Sequence, residues 1–478
     1  MTNKTTPRSR SFGASDPSAE LGLRDLRYLE SYGCYPCRTT IELEIHPPGI
    51  LEALSFRVLN LIFDSVQGIQ ALRDVPPKSW EIDFKGQRQF TLSFDLDPGY
   101  YLLLAAHQSQ SSAVPFVVAD YEKPADVAVI RPVFTQWSYH SDGFYFNDYR
   151  SPFDRALSHV GQSGGLGRLT ERASRELARR LGLHGINFPY RPFPAHSTIN
   201  LGGFYRRNNR WERTIWDARW GRQEGLWVDE VLSGMPIFAL LNKNAISYHV
   251  FTDVDFHNQN AALASYRVLI FSGQEGVTNS YYQMLQRLQS AGETSFLLWG
   301  TQAFGYRQFA YDAATGELRY LCTRGHRGMW GDELNDRQPD WKDEGRLFGF
   351  HFPEPQSPNW RYDKPYSQII VSQIDHPIVS QFGGPEKTFH YEVQDSNGER
   401  HPGLTWAGGE IQRRVTDEAR VIAYLDDDPE VIGIGEYRNT VVFAPTYLPA
   451  FFAYQSLNHP EVEAWFMGAL NYLMGTEE

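Results

Sequence analysis

Residues Ser265–Gly305 read SYRVLIFSGQEGVTNSYYQMLQRLQSAGETSFLLWGTQAFG, and this stretch decides the fold of the chain. The apolar run 267–272 breaks at Gly273, which is the pattern of a buried strand in a parallel sheet. A helix follows, because apolar and aromatic residues recur at spacings of three and four until Gly292 ends it. A second apolar run occupies 295–299. The stretch therefore predicts a strand, a helix and a second strand parallel to the first.

The remaining sequence divides around this unit. Between residues 23 and 122, short alternating segments with turn signals and no helical pattern predict a β-sandwich. Residues 123–478 predict a Rossmann-like α/β domain that carries two large insertions, at about 134–230 and 306–403. Residues 1–22 are polar and are predicted to be a disordered tail. The predicted fold class is thus an all-β domain followed by an α/β domain with a parallel sheet.

Composition limits the classes of function. The chain has 478 residues, a formal net charge of −12 and 3 cysteines. A net negative charge argues against nucleic acid as a general partner, and so few cysteines exclude a disulfide framework. Neither a secretory signal nor an apolar run long enough to span a bilayer is apparent. The sequence therefore predicts a cytoplasmic protein with no membrane partner.

The segment 150–222 is strongly basic. It holds fourteen arginines, five acidic residues and no lysine. These arginines either pair with the acidic remainder of the chain or another subunit, or they form a surface for an anionic ligand or partner. Arginine suits bidentate, partly buried pairing better than lysine does. We expect the chain to form a homo-oligomer or to bind a second subunit.

Ligands of open parallel sheets bind at the carboxyl ends of the strands, so the turns 273–279 and 300–306 are candidate positions. In the first turn, Glu275 either orients a water or ligand, or caps the following helix. This turn has no cysteine, which argues against thiol acyl-transfer chemistry. Phe304 lies in the second turn.

Two other segments follow predicted strands. Asp253, Asp255 and His257 come after the strand 247–252, where they either point to one side together or form a polar turn that caps a helix. An aromatic and irregular segment follows the strand 126–133. It either lines a pocket for a small organic substrate or packs against the insertions, and its candidate substrate-binding residues are Trp137, Tyr139, His140 and Tyr145.

Cys34 and Cys37 have the C-x-x-C spacing. A redox motif of this type needs a helix after the first cysteine to lower the pKa of its thiol. Here a β-branched, extended segment follows, so the pattern predicts a turn that opens the β-sandwich.

Several segments together resemble one enzyme family, the large (beta) subunit of N,N-dimethylformamidase in its C-terminal region. The resemblance extends over most of residues 30–478 and implies a class I glutamine-amidotransferase-like fold. The segments that carry it are Gly33–Arg38, Asp126–Tyr139, Tyr248–His257 and Tyr266–Tyr306. Asp375–Ile378 is also found in trehalose-utilisation-type relatives of this fold.

The resemblance implies an amide hydrolase that holds one iron ion through two tyrosines and a glutamate. Tyr248 is the candidate for one tyrosine, and Glu275 stands at the glutamate of the family's turn. Gly276 replaces the tyrosine of that turn, and His326 stands where the family has a glutamate in a later glycine-rich stretch. A different metal site that uses His326, Glu275 and Tyr248 is the alternative, since imidazole and carboxylate both bind divalent metals.

Two functional hypotheses follow. In the first, the chain is a metal-dependent hydrolase acting on the C–N amide bond of a small organic substrate. Glu275 or Asp253 is then the catalytic base, and Tyr248 and His326 are metal ligands. In the second, the chain is a non-catalytic, amidotransferase-like module that binds a ligand or subunit through its arginine- and tryptophan-rich insertion.

Overall fold

The computed structural model describes residues 22–46, 53–61, 72–83, 88–107, 110–135, 191–192, 237–272, 274, 276–299, 307–313, 317–323, 347–351, 368–380, 388–390, 392–394, 400–402, 413–426, 428–443 and 460–475.

Two β-sheets make up the first part of the chain. The elements in order are β1 (Gly22–Asp25), α1 (Tyr28–Ser31), β2 (Cys34–Pro36), β3 (Arg38–His46), β4 (Ala53–Leu61), β5 (Leu72–Asp83), β6 (Gln89–Asp95), β7 (Gly99–His107) and β8 (Gln110–Ala119). One sheet has the order β1-β3-β6 and the other β2-β8-β7-β4-β5. Apolar side chains of both sheets share one core, in which Ile41, Phe56 and Phe116 are fully buried. Strand β6 alternates strictly between exposed and buried residues, as expected when one face packs on a core.

The second part is mixed α/β. Its elements are β9 (Val127–Arg131), β10 (Arg191–Pro192), β11 (Tyr248–Thr252), α2 (Asp253–His257), β12 (Val268–Ser272), β13 (Gly276–Thr278), α3 (Asn279–Ala291), β14 (Ser295–Trp299), β15 (Arg307–Asp312), β16 (Glu317–Thr323), β17 (Phe350–His351), β18 (Gln368–Val371), α4 (Pro377–Ser380), β19 (Thr388–His390), β20 (Glu392–Gln394), β21 (Arg400–Pro402), β22 (Arg413–Arg414), β23 (Arg420–Leu425), β24 (Asp428–Tyr437), β25 (Thr440–Phe443) and α5 (Pro460–Met474). A helix also occupies residues 237–243, and a short 3-10 helix occupies Ala261–Ser265.

The main sheet has the strand order β11-β9-β12-β14-β25-β24-β23-β18-β19. The first five strands are parallel, and the pairs from β25 to β19 are antiparallel. Alternate residues of the parallel strands enter two separate cores, one on each face of the sheet. Helix α5 and residues 237–241 cover one face, and α2 and α3 cover the other. Because both faces are covered, strands such as β9 and β12 are buried along their whole length.

The predicted strand-helix-strand unit is confirmed. Strands β12 and β14 are parallel neighbours, paired from Val268 with Ser295 to Ser272 with Trp299, and α3 connects them. Helix α3 begins after Thr278, whose side chain accepts a hydrogen bond from the Tyr281 N–H group. It ends at Gly292, which has φ of 73°, a left-handed conformation that glycine adopts without a Cβ clash.

The predicted α/β class is confirmed, but a purely parallel sheet is wrong. Strand β24 was missed, because the glycines in EVIGIGEY weaken the pattern of a strand. The packing explains one of them, because a Cβ at Gly435 would clash with Cζ of Phe350. Strand β18 falls within the predicted second insertion, yet it pairs with β23 in the main sheet. None of the helices in the described part of the chain combines the length and the apolar character of a membrane-spanning helix.

Candidate functional site

The carboxyl ends of β9, β11 and β12 lie side by side at one edge of the sheet, since these strands are parallel and adjacent. They end at Arg131, Thr252 and Ser272, all buried. The segments that leave these strands bring polar and aromatic side chains to the same edge. This edge is therefore where the fold places a candidate site.

Asp253, a predicted catalytic base, holds the segment after β9 in place. Its side chain is fully buried. One carboxylate oxygen accepts a hydrogen bond from the Val133 N–H group at 3.1 Å, and the other accepts one from the Phe134 N–H group at 2.8 Å. Burial raises the pKa of Asp253 well above its usual range, and these hydrogen bonds oppose that shift. These contacts describe a structural anchor, and the catalytic role of Asp253 stays a prediction.

The residues after β11 form the short helix α2 itself and not a polar turn, although Asp255 takes part in its N-terminal cap. Thr252 is the N-cap of α2, and its hydroxyl accepts from the Asp255 N–H group. The Asp255 carboxylate in turn accepts from the Thr252 N–H group at 2.8 Å. This capping box fixes the first turn of α2 and so determines where its last residue, His257, lies.

The turn after β12 is tied to the neighbouring segments. Gln274 is fully buried, and its amide group donates to the Ile130 carbonyl oxygen at 3.0 Å. The Gly276 N–H group donates to Thr135 Oγ1 at 2.9 Å. A Cβ at position 276 would lie 2.8 Å from Cε2 of Phe309, so only glycine fits this backbone as packed. Glu275 lies between these residues, outside the described part of the chain.

Of the described side chains at this edge, the imidazole of His257 is best suited to hydrogen bonding with a ligand or to proton transfer. Its Nδ1 lies 2.9 Å from Thr278 Oγ1. The imidazole packs edge-on against the rings of Tyr311 and Phe134, with centroid distances of 5.2 Å and 6.4 Å. Burial lowers the pKa of His257, which favours the neutral form of its ring.

The N-terminal sheets also reach this edge through the turn before β2. The phenol oxygen of Tyr32 lies 2.9 Å from that of Tyr311. Arg131 Nη1 donates to the Tyr32 carbonyl oxygen at 2.5 Å. Tyr32 has φ of 49°, an uncommon conformation for a residue with a side chain. We call Tyr32, Phe134, His257, Thr278 and Tyr311 the edge cluster.

Tyr248, a predicted metal ligand, lies elsewhere. It is the first residue of β11, at the opposite end from the edge cluster, about 13 Å away along the strand at roughly 3.3 Å per residue. It is buried against Phe238, with the ring centroids 5.4 Å apart, and burial raises the pKa of its phenol. The structure does not bring Tyr248 and Asp253 together, and Tyr248 does not fit a metal site at the carboxyl edge. Among the described residues, no group of three His, Cys, Asp or Glu side chains is placed to hold a metal ion.

The other predicted site residues fall outside the described part of the chain, and their roles stay predictions. They are Glu275, His326, Phe304, Trp137, Tyr139, His140 and Tyr145.

Sequence reasoning did not select Tyr32, Thr278 and Tyr311 as site residues. Thr278 belongs to the candidate turn 273–279, where Asn279 or Ser280 was the predicted helix cap and Thr278 takes that role instead. His257 was predicted as a polar residue after a strand. Tyr32 and Tyr311 are 279 residues apart in sequence, and no local pattern relates them.

Comparison with family models shows which protein family the chain belongs to. The model of the family described as N,N-dimethylformamidase beta subunit-like, C-terminal, matches residues 67–438. The chain belongs to this family. The match includes every member of the edge cluster except Tyr32, so the core of the candidate site lies within the family region.

Comparisons with individual proteins add little. No curated protein matches the chain. A ThuA-like protein from Bacteroides uniformis is 11% identical over 53% of this chain and 87% of its own, with a TM-score of 0.31. Gan42B, a GH42 β-galactosidase, is 13% identical over 50% of this chain and 26% of its own, with a TM-score of 0.25. Neither likeness is strong enough to support an argument.

Proposed function

We propose that this chain is a dimethylformamidase-like hydrolase that cleaves the C–N amide bond of a small organic substrate at the carboxyl edge of its main sheet. Membership of the N,N-dimethylformamidase beta subunit-like family supports the reaction class. The observation that supports the location is the convergence of His257, Phe134 and Tyr311 on one point of that edge.

Amide hydrolysis makes three demands on a site. The carbonyl oxygen needs hydrogen-bond donors as it gains negative charge, the attacking water needs to lose a proton, and the leaving amine needs to gain one. A neutral imidazole is suited to hydrogen bonding at such a centre. The rings of Phe134 and Tyr311, whose centroids are 5.4 Å apart, are buried and support the imidazole of His257 from two sides.

A divalent metal ion is part of the proposal through residues that lie outside the described part of the chain. The resemblance to the family implies iron, for which Glu275 and His326 are the candidate ligands. A bound metal ion would supply a Lewis acid and an activated water. Tyr248 does not fit that site, because it lies at the other end of β11, and no step is assigned to the metal.

The finer fold relationship and the assembly are also proposals. The five parallel strands covered by helices on both faces support an amidotransferase-like, Rossmann-like arrangement. The two sheets with one shared core support a β-sandwich at residues 23–122. The family name includes a beta subunit, which supports a second subunit as partner.

The test is release of dimethylamine and formate from N,N-dimethylformamide by the purified chain, with added Fe²⁺, Zn²⁺ or Mn²⁺ and with a chelator. We expect hydrolysis that is lost in His257→Ala. The matched control is His249→Ala, because His249 lies on β11, the strand that precedes α2, and its ring contacts Tyr266 and the Lys123 carbonyl oxygen away from the edge.

If the His257→Ala protein hydrolyses the amide as fast as the wild type does, His257 and the edge cluster take no part in the reaction. A folded protein that hydrolyses no small amide with any of the three metals would instead favour the non-catalytic binding module, which acts through the arginine- and tryptophan-rich insertion.

A further inference from the structure

The main chain around Tyr32 is fixed by three hydrogen bonds. The Tyr32 carbonyl oxygen accepts one from Arg131 Nη1 at 2.5 Å, at the end of β9. The carbonyl oxygen of Gly33 accepts one from the Val117 N–H group of β8 at 2.8 Å, and the Gly33 N–H group donates to Ser31 Oγ at 3.1 Å. These contacts keep Tyr32 at a φ of 49°, a conformation that persists in a residue with a side chain only where the surrounding structure imposes it. The fold therefore sets the direction of the Tyr32 side chain.

The Tyr32 phenol connects this turn to β15. Its oxygen lies 2.9 Å from the phenol oxygen of Tyr311. The Tyr311 ring is buried, packs edge-on against the His257 imidazole and lies 5.4 Å from the Phe134 ring, measured between centroids. Tyr311 is thus held at its hydroxyl by Tyr32 and along its ring by the other two side chains. A contact that begins in the N-terminal sheets therefore extends to His257.

The surroundings of His257 make it sensitive to this contact. Burial lowers the pKa of His257, which is half-buried, and the Tyr311 ring is one of the groups that bury it. Burial, together with nearby carboxylates, raises the pKa of the Tyr32 phenol, so its hydroxyl keeps its hydrogen at neutral pH. The charged side chains that act near the cluster are Arg131 of β9 and Asp253 and Asp255 of α2. If the Tyr311 ring moved away, water would reach the imidazole and its pKa would return toward about 6.5.

Tyr32 lies outside the region that the family model matches, which begins at residue 67. We propose that Tyr32 is a positioning residue of the candidate site, whose hydrogen bond holds the Tyr311 ring against His257 and keeps water from one side of the imidazole. The effect on the reaction rate rests on the proposed function, whereas the effect on the imidazole does not. The N-terminal sheets would then be a working part of the site.

The alternative is a purely structural role, in which the bond only ties the N-terminal sheets to the main sheet. Loss of the bond would then lower stability and leave the environment of His257 unchanged. A measurement on the imidazole itself therefore distinguishes the two roles.

The test is an NMR titration of the His257 imidazole in the full chain, with its resonance assigned by its absence from His257→Ala. The variants Tyr32→Phe and Tyr311→Phe each keep the ring and remove one of the two hydroxyls that form the bond. We expect the pKa of His257 to rise in both, toward about 6.5. The double variant should raise it no further than the larger single change, because both substitutions remove the same hydrogen bond.

Tyr121→Phe is the matched control. The Tyr121 hydroxyl donates to the Val250 carbonyl oxygen of β11 at 2.9 Å, so it also links the chain before β9 to the main sheet. Its hydrogen bond and its ring contact are with Val250 and His249, outside the edge cluster. We expect this variant to lower the midpoint of thermal unfolding about as much as Tyr32→Phe does, and to leave the His257 titration unchanged.

Kinetics provide a second readout. In Tyr32→Phe we expect kcat for N,N-dimethylformamide to fall on the order of 10-fold and KM to change less than about 2-fold, because a small displacement of a reacting group lowers the rate more than it weakens binding. Since the neutral imidazole is the active form in the proposed function, activity is lost as pH falls through the pKa of His257. The acid limb of the pH–rate profile should therefore move to higher pH by the same amount as the NMR titration.

The possible outcomes separate the positioning role from the function. A folded Tyr32→Phe protein in which His257 titrates as in the wild type would overturn the positioning role, whether or not the chain hydrolyses amides. An equal shift in Tyr121→Phe would also overturn it, because the change would then reflect general loosening. A shift confined to Tyr32→Phe and Tyr311→Phe in a chain that hydrolyses no amide would support the positioning role and overturn the function. If Tyr32→Phe does not fold, Tyr311→Phe tests the same bond from its other end.

Discussion

The carboxylate of Asp253 accepts a hydrogen bond from the main-chain N–H group of Phe134 at 2.8 Å, and this bond positions one ring of the edge cluster. Asp253 follows β11 and Phe134 follows β9, so the contact links the ends of two neighbouring strands. The position of the buried Phe134 ring beside His257 therefore depends on a buried carboxylate that need not touch a substrate.

Replacing Asp253 with alanine should destabilise the protein. The Val133 and Phe134 N–H groups would lose their acceptor while remaining buried, and we expect a loss of about 2–4 kcal/mol in the free energy of unfolding. Urea unfolding measures this change. Asp126→Ala is the control, since Asp126 is exposed and should change stability by less than about 0.5 kcal/mol. Equal stability of the two variants would show that the Asp253 contacts contribute little.

Replacing Gly276 with alanine should also destabilise the fold. The new Cβ would lie 3.2 Å from the main-chain carbon of Phe134, which is backbone and cannot rotate away, and 2.8 Å from the Phe309 ring. We expect a cost of about 1–3 kcal/mol, measured as a lower midpoint of thermal unfolding. In Gly99→Ala the nearest atom is at 3.4 Å, an ordinary contact, so that variant should be close to wild type. A tolerated alanine at 276 would mean that β15 moves aside easily.

Glu436 should make stability depend on pH. Burial acts to raise its pKa, but hydrogen bonds from His376 and Tyr472 and the charge of Arg420 outweigh that effect and lower it. A carboxylate with a lowered pKa adds stability above its unfolded pKa of about 4.3 and loses this contribution as pH falls through its folded pKa.

The variant Glu436→Gln isolates this contribution. We expect the wild type to exceed it in stability by about 1–3 kcal/mol at pH 7, and the difference to shrink between about pH 5 and pH 3. Chemical denaturation at a series of pH values measures this difference. Glu122→Gln, at an exposed position, should show no such trend. A difference that stays constant or grows on acidification would contradict the assignment.

Cys34 should react slowly with alkylating reagents. Burial raises the pKa of its thiol to about 11, although nearby Arg131 acts in the opposite direction. Because the thiolate is the nucleophile, iodoacetamide at pH 7.5 should label Cys37 before Cys34, and labelling of Cys34 should accelerate as pH rises toward 11. Mass spectrometry of digested protein distinguishes the two sites. Faster labelling of Cys34 at neutral pH would reopen a redox role for the C-x-x-C pair.

Much of the architecture follows from local sequence patterns. The apolar runs of β9, β12 and β14 and the periodic residues of α3 report burial directly, because each lies within one continuous segment. Strand β24 is not evident from the sequence, because its glycines weaken the strand pattern. At Gly435 the glycine is required by packing against Phe350, which is distant in sequence, and a local pattern does not show such a contact.

The candidate site was only partly predictable. The family resemblance made Tyr248 a candidate metal ligand, and the polar residues after the same strand made Asp253 a candidate base of the same site. In the structure they lie at its two ends, because a strand of five residues is extended and its termini face different environments.

By itself, the sequence determined that the chain contains a buried parallel strand-helix-strand unit, a family relationship and a polar segment after β11. The tertiary structure alone decided that Tyr32, Thr278 and Tyr311 join His257 at one edge of the sheet. The physical reason is that periodicity and capping act between residues close in sequence, whereas the edge cluster depends on strand order and on the docking of the N-terminal sheets, which contacts between distant residues determine.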